Sequence, residues 1–347
     1  MDKRQFWQDR AKGIGISLVV FGHVLRGLVH SGMLTNTALV ATLDYTIYTF
    51  HMPLFFLLAG LNVEGSLRRG RRGFLSDKLL TIVYPYFLWS LLQTGLKITI
   101  PENVNLPNTA GDLLAILFEP PAQFWFLYVL MLCHVVLALV PRSGLMLMLM
   151  FALAGAAMSG VFPYVLQKLL FNFPFYLAGV IFSRKIADWF PNGWVGLLQI
   201  VILACLFGLC AVLKAAAFGL DFEEIAVFPA ACAGIAIVIC CAKLMDGKNG
   251  RWAAALGTMS MTIYILHITA GAATRVMLVK LFGITEPAIH LILGVMAGLL
   301  IPICAHMVLR KFGLLPWLGL AAFPRGSKAS DLRPSQAPEL GEVAPRV

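Results

Sequence analysis

Apolar residues along this chain gather into ten runs of about twenty. They lie at roughly 12–32, 40–62, 79–99, 123–141, 144–162, 165–183, 194–214, 225–243, 252–274 and 287–309, with short polar segments between them. A helix rises 1.5 Å per residue, so each run is long enough to cross a hydrocarbon core of about 30 Å. The tightest connection is the one near Pro163, between 144–162 and 165–183. The pattern predicts an all-α polytopic membrane protein, a bundle of about ten transmembrane helices formed by residues 1–323. Residues 324–347 bear Pro, Ser and charges without an apolar period, and are expected to form a disordered tail.

Composition agrees: 59% of the 347 residues are hydrophobic and 13% charged, which excludes an ordinary soluble domain. Residues 1–12 carry both signs of charge and the run after them is long enough to span, so the first span is expected to be an uncleaved anchor. The net charge of +10 does not indicate nucleic acid, because the basic residues sit in short loops between apolar runs. With the N-terminus inside, seventeen of the 27 Lys and Arg fall on the inner side, six on the outer side and four in the tail. That bias predicts both termini in the cytoplasm. The seven cysteines all lie in apolar runs without metal-ligand spacing, so neither a metal nor a disulfide framework is expected.

Within this apolar background a few ionisable residues stand out. Lys12 and His23 are eleven residues apart, close to three helical turns, which puts them on one face about 16 Å apart. Arg26 and His30 extend the same stripe. Charged or titratable side chains at membrane depth are costly and mark functional sites. His23 suits proton transfer near neutral pH, or transient acylation as a nucleophile. Arg68, Arg69, Arg71 and Arg72 crowd into one inner loop, either to bind a phosphate bidentately or to set topology against lipid head groups. Asp44 precedes His51 by seven residues on one face, and Pro53 follows His51 inside the span. Ser260, Tyr264 and His267 form a further polar stripe, available to line the His23 cavity or to bond helices together. Trp125 opens an aromatic segment just after Glu119, at an expected outer boundary. His134, His290 and His306 have no partner pattern and are read as structural.

Five segments in order carry a family resemblance: Asp9-Arg-Ala-Lys12-Gly through Phe-Gly-His23; Phe50-His51-Met-Pro through Ala59-Gly60; Lys78 through Tyr84-Pro85-Tyr86-Phe87-Leu-Trp89; Phe124-Trp125-Phe126-Leu127; and Leu256-Gly257 through Ser260, Tyr264 and His267. Together they resemble the acyltransferase-3 family of integral membrane O-acyltransferases, including its fucose O-acetylase-like branch. Lys12 and His23 satisfy that family's basic-x10-His pattern, and Arg68/Arg71 or Arg69/Arg72 its Arg-x-x-Arg pattern. The chain departs from it at Ala59, where the family often has Ser, and in having Lys78 as the sole basic residue before Pro85.

The resemblance implies a bundle of about ten helices in the bacterial inner membrane, a cytoplasmic acyl-CoA donor and a glycan or lipid-linked sugar acceptor. It also implies that His23 is catalytic. The resulting expectation is a membrane O-acyltransferase, most simply an acetyltransferase. Lys12 and the four arginines would meet the acyl-CoA phosphates, His23 would act as base or acyl carrier, and Asp44 and Glu119 would orient His23 or the acceptor. Arg26, His51, Trp125, Ser260, Tyr264 and His267 are expected around the cavity. The rival is a secondary transporter or proton-coupled flippase using His23, Arg26 and Asp44 as a relay. No internal repeat of the transporter kind is visible.

Overall fold

The structure is a computed structural model that describes residues 3–99, 109–183, 185–186, 188–190, 193–218, 225–245 and 247–322. The expected tail at 324–347 lies outside the described residues. Fourteen α-helices are present among them: α1 (Lys3–His30), α2 (Ala38–Leu61), α3 (Val63–Leu67), α4 (Gly70–Lys78), α5 (Tyr84–Thr99), α6 (Asp112–Ala115), α7 (Trp125–Leu139), α8 (Leu145–Ala157), α9 (Tyr164–Ile181), α10 (Gly193–Phe218), α11 (Phe228–Leu244), α12 (Gly247–Thr258), α13 (Ser260–Phe282) and α14 (Pro287–Lys311). A π-helical turn over Leu79–Val83 joins α4 to α5, so that segment runs unbroken from Gly70 to Thr99. No strand occurs among the described residues.

Helix α1 is the hub. It packs against α2, α11, α12, α13 and α14, and buries Ala11, Ile16, Val19, Val20, Leu25 and Leu28 among them. The outer helices turn apolar side chains outward, such as Leu197, Val201 and Ile202 of α10 and Leu293 and Ile301 of α14, as a lipid-facing surface requires. Helices in lipid gain little from burying apolar surface against each other and associate through close packing at small residues. Two crossings show this. A Cβ on Gly60 of α2 would lie 2.1 Å from the Tyr176 carbonyl oxygen, and one on Gly179 of α9 would lie 2.2 Å from that of Leu57. At the α1–α12 crossing, a Cβ on Gly13 would lie 1.9 Å from the Ala253 oxygen, and one on Gly257 1.8 Å from that of Asp9.

Nine segments among the described residues are long and apolar enough to cross a membrane. They match nine of the ten expected runs. The tenth, 144–162, folds as α8, only 13 residues or about 20 Å, and is closed by a turn at Ser159–Val161. Helix direction shows that α8 still counts as a traverse. Gly60 meets Gly179, and Tyr48 and His51 further back on α2 share a cavity with Lys168 and Asn172 further back on α9, so α2 and α9 run parallel. Gln123, at the start of α7, shares a cavity with Tyr48 of α2 and Lys168 near the start of α9, so α7 and α9 begin at the same end of the bundle. Only α8 returns the chain between them. Gly294 and Gly298 of α14 meet Val24 and Val20 of α1 in reverse order, so α14 ends where α1 begins.

One expected run is placed differently. The stretch 252–274 breaks at Met259 into α12 and α13, and the membrane-crossing segment is Ser260–Phe282. Residues 256–263 are apolar, small or hydroxyl-bearing, so the hydropathy pattern carries no mark of the break. Up to that point α12 is packed closely on α1 through Gly13 and Gly257.

Candidate active site

His23 sits two-thirds of the way along α1. Its Nδ1 lies 3.0 Å from the Val19 carbonyl oxygen, one turn back. A carbonyl only accepts, so in the neutral ring Nδ1 carries the proton and Nε2 carries the lone pair. His51 repeats the arrangement with Ile47 O at 2.8 Å, and His267 with Ile263 O at 3.0 Å and Tyr264 O at 2.8 Å. Three imidazoles on three helices thus present a basic nitrogen. The His267 ring stands edge-on to that of His23 with centroids 5.0 Å apart.

On the other side a polar relay holds His23. Asp44 grips Arg26 bidentately, accepting from Nε at 2.6 Å and from Nη2 at 2.8 Å. The guanidinium lies over the Tyr48 ring, 3.1 Å from its centroid. The Tyr48 hydroxyl comes within 3.4 Å of His23 Nδ1, and its ring packs edge-on against His51 at 4.6 Å. Arg26 therefore has its charge matched and its plane fixed by a fork-to-fork pair.

Two cavities share His23 in their walls. One, of about 220 Å³, is lined by Arg26, Tyr48, His51, Gln123, Trp125, Tyr164, Lys168 and Asn172. The other, of about 120 Å³ and mainly apolar, is lined by Val24, Gly27, Gly271 and Ala272 with His267, Arg275 and His290. Arg275 donates to the Gly27 carbonyl at 2.8 Å. Towards the N-terminal end of α1 lies a smaller apolar void of about 90 Å³ between Ile16, Val19, Met52, Phe55, Phe126, Ser260 and Tyr264.

The expected site residues divide accordingly. His23, Arg26, Asp44, His51, Trp125 and His267 converge, and Ser260 and Tyr264 line the small void. The Tyr264 hydroxyl donates to the Gln123 backbone oxygen at 2.5 Å, which ties α13 to the start of α7. Lys12 stands at the other end of α1, paired with Asp9 at 3.2 Å. The arginine quartet follows α2, which is antiparallel to α1, so it lies at the Lys12 end. Arg68 reaches Glu64 at 3.4 Å, Arg69 pairs with Asp77, and Arg71 and Arg72 are exposed on α4. Glu119 is exposed and lines none of these cavities, and His30 is exposed at the end of α1.

Sequence reasoning missed Tyr48, Gln123, Lys168, Asn172 and Arg275, and read His290 as structural although its ring lines the smaller His23 cavity. Lys168 and Asn172 offered a signal, since they stand four apart inside an apolar run. Gln123 offered none, because it stands alone at the very start of the 123–141 run, in the 3-10 turn before α7.

Fold and site define a polytopic membrane protein with a buried histidine cluster between a polar and an apolar cavity. A family model described as "Acyltransferase domain" (Acyl_transf_3) matches residues 6–307, and the chain belongs to that family. It is similar to "Nodulation protein NolL" of Mesorhizobium japonicum, 27% identical over 212 residues, covering 58% of this chain and 55% of that protein. The protein of the same name from Sinorhizobium fredii is 25% identical over 191 residues, covering 54% and 51%. The chain thus spans about half the length of the curated relatives it matches. No solved structure gives a significant match.

Proposed function

We propose that the protein is a membrane O-acyltransferase that moves an acyl group, acetyl in the simplest case, from acyl-CoA to a hydroxyl of a lipid-linked or extracytoplasmic sugar. The observation that carries this reading is His23: an imidazole with its Nδ1 occupied by the Val19 carbonyl, walled by two cavities and close to the Arg26–Asp44 pair. The donor approaches from the Lys12 end, where Lys12 and the arginine quartet meet its phosphates. The apolar void beside Ile16 and Val19 lies along α1 between the levels of Lys12 and His23. As base, Nε2 takes the proton from the acceptor hydroxyl while its oxygen bonds to the thioester carbonyl carbon. The C–S bond then breaks, and the leaving thiolate recovers the proton. As carrier, Nε2 attacks the thioester carbonyl carbon and the C–S bond breaks to release the CoA thiolate; the acceptor hydroxyl then takes the acyl group, Nε2 recovers its lone pair, and the hydroxyl proton goes to the thiolate. The test is purified protein with acetyl-CoA: thiol release or transfer supports the reading, and none at any donor concentration refutes it.

Replacing Arg68, Arg69, Arg71 and Arg72 with Gln is expected to weaken acyl-CoA binding, each lost charge-assisted contact costing about 1.5–3 kcal/mol. The all-Lys version keeps the charge and loses the fork geometry. Titration calorimetry with CoA decides. If the Gln version keeps full affinity, the quartet serves topology alone.

The Lys12 end faces the cytoplasm in this reading, in a bacterial inner membrane. A reporter active only in the cytoplasm is expected to work when fused after Gly70 and to stay silent when fused between 109 and 118. Activity in the second fusion overturns the orientation.

A further inference from the structure

We propose that the polar cavity beside His23 is the acceptor's seat, and that Gln123, Asn172 and His51 select a hydroxyl-rich ring through three acceptor atoms fixed in its wall. The role as an acceptor site rests on the acyl-transfer reading; the selection of hydroxyl donors does not. Gln123, Asn172 and His51 are 3%, 2% and 0% exposed, and all three line the same cavity. Each has its donor already committed. Gln123 Nε2 donates to Gln93 Oε1 at 3.0 Å and to the Ile265 oxygen at 3.4 Å. Asn172 Nδ2 donates to the Lys168 oxygen at 2.9 Å, and His51 Nδ1 to the Ile47 oxygen at 2.8 Å.

These bonds set the orientation of both amides and the tautomer of the ring. What remains is Gln123 Oε1, Asn172 Oδ1 and His51 Nε2, all buried and without a hydrogen-bond partner among the described residues. Buried acceptors left unpaired on three residues that line one cavity are complementary to a ligand bringing several O–H or N–H donors. An alkyl chain brings none. The opposite charge sense comes from Lys168, whose Nζ lies 4.9 Å from the Trp125 ring centroid and 5.1 Å from that of Tyr164. With both rings engaged by the ammonium, Trp125 positions Lys168 rather than stacking a sugar. The wall therefore offers acceptors for hydroxyl hydrogens and a cation for a ring or hydroxyl oxygen, as a pyranose demands.

The pantetheine arm of acyl-CoA also carries N–H and O–H donors. The cavity lies towards the Asp44 end of α1, however, away from the basic Lys12 end, which assigns it to the other substrate.

The test is saturation-transfer NMR on the detergent-purified full chain with methyl hexopyranosides, and with cyclohexanol as a single-hydroxyl competitor. No donor is added, so failure of acetyl-CoA turnover and failure of this proposal are read separately. Wild-type protein is expected to transfer saturation to at least one hexoside, with cyclohexanol competing at least tenfold more weakly. Gln123→Leu and Asn172→Leu are expected to weaken hexoside binding at least tenfold and leave CoA affinity within twofold. If the Leu variants do not fold, monodeoxy hexosides on the wild type take their place, and loss of any of three hydroxyls should weaken binding at least fivefold. Equal competition by cyclohexanol, unchanged hexoside binding in both Leu variants, or a fall in CoA affinity instead overturns the proposal.

Discussion

His23→Gln protein is expected to insert, fold and bind acyl-CoA, yet to transfer acyl groups at least about 10²–10⁴-fold more slowly than wild type, the usual worth of a positioned proton acceptor. Gln is close to His in length, and its amide can still donate to the Val19 carbonyl that now takes the His23 Nδ1 proton at 3.0 Å. The cavity wall thus keeps a satisfied polar group and the helix keeps its register. What disappears is the basic nitrogen, since an amide oxygen neither holds a proton near neutral pH nor forms an acyl intermediate. Lys12 and the arginine quartet are untouched at the far end of α1, so CoA binding persists. The measurement is transfer of labelled acetyl, with CoA-induced thermal stabilisation as the check on folding. A folded variant transferring at the wild-type rate would move the base to His51 or His267, whose Nδ1 atoms are pinned to backbone carbonyls in the same way.

The helices and the catalytic candidate were legible in the sequence for the same reason: lipid penalises every polar group it meets. Nine of ten apolar runs became long helices, and the ionisable stripe drew attention to α1, where His23 and Arg26 line one polar cavity while Lys12 stands at the far end. Pairing was harder to see. Asp44 was noticed for its spacing from His51, yet its partner is Arg26 on the neighbouring helix. Tyr48 was not singled out, although it lies between Arg26 and the His23 and His51 rings. Such contacts depend on which faces two helices share, and hydropathy is blind to that. The acceptor side was the least legible part. Gln123 and Asn172 are neutral, and only their fixed amides and empty acceptors distinguish them.

The break at Met259 leads to the second large effect. Gly13→Ala is expected to destabilise the protein by about 1–3 kcal/mol or more, and Gly27→Ala on the same helix to leave it unchanged or stabilise it by up to about 1 kcal/mol. In both cases Ala adds one methyl group and the same gain in helix propensity, so the difference isolates what the methyl meets. At Gly27 it meets nothing within 4 Å; at Gly13 it would lie 1.9 Å from the Ala253 carbonyl oxygen. That oxygen belongs to backbone and cannot rotate away, so α12 must shift as a body. Gly257 lies four residues beyond Ala253 on α12, with its own Cβ position 1.8 Å from the Asp9 oxygen. The clash therefore spreads along the crossing. One residue after α12 the chain enters α13, which carries Ser260, Tyr264 and His267, so displacement of α12 also moves the wall of the His23 cavity. Thermal unfolding of the two variants in one detergent, together with acetyl transfer, checks this. Gly13→Ala is expected to lose both stability and turnover, and Gly27→Ala to keep its stability. Equal melting temperatures for the two would mean that the α1–α12 crossing is looser than the backbone contacts require.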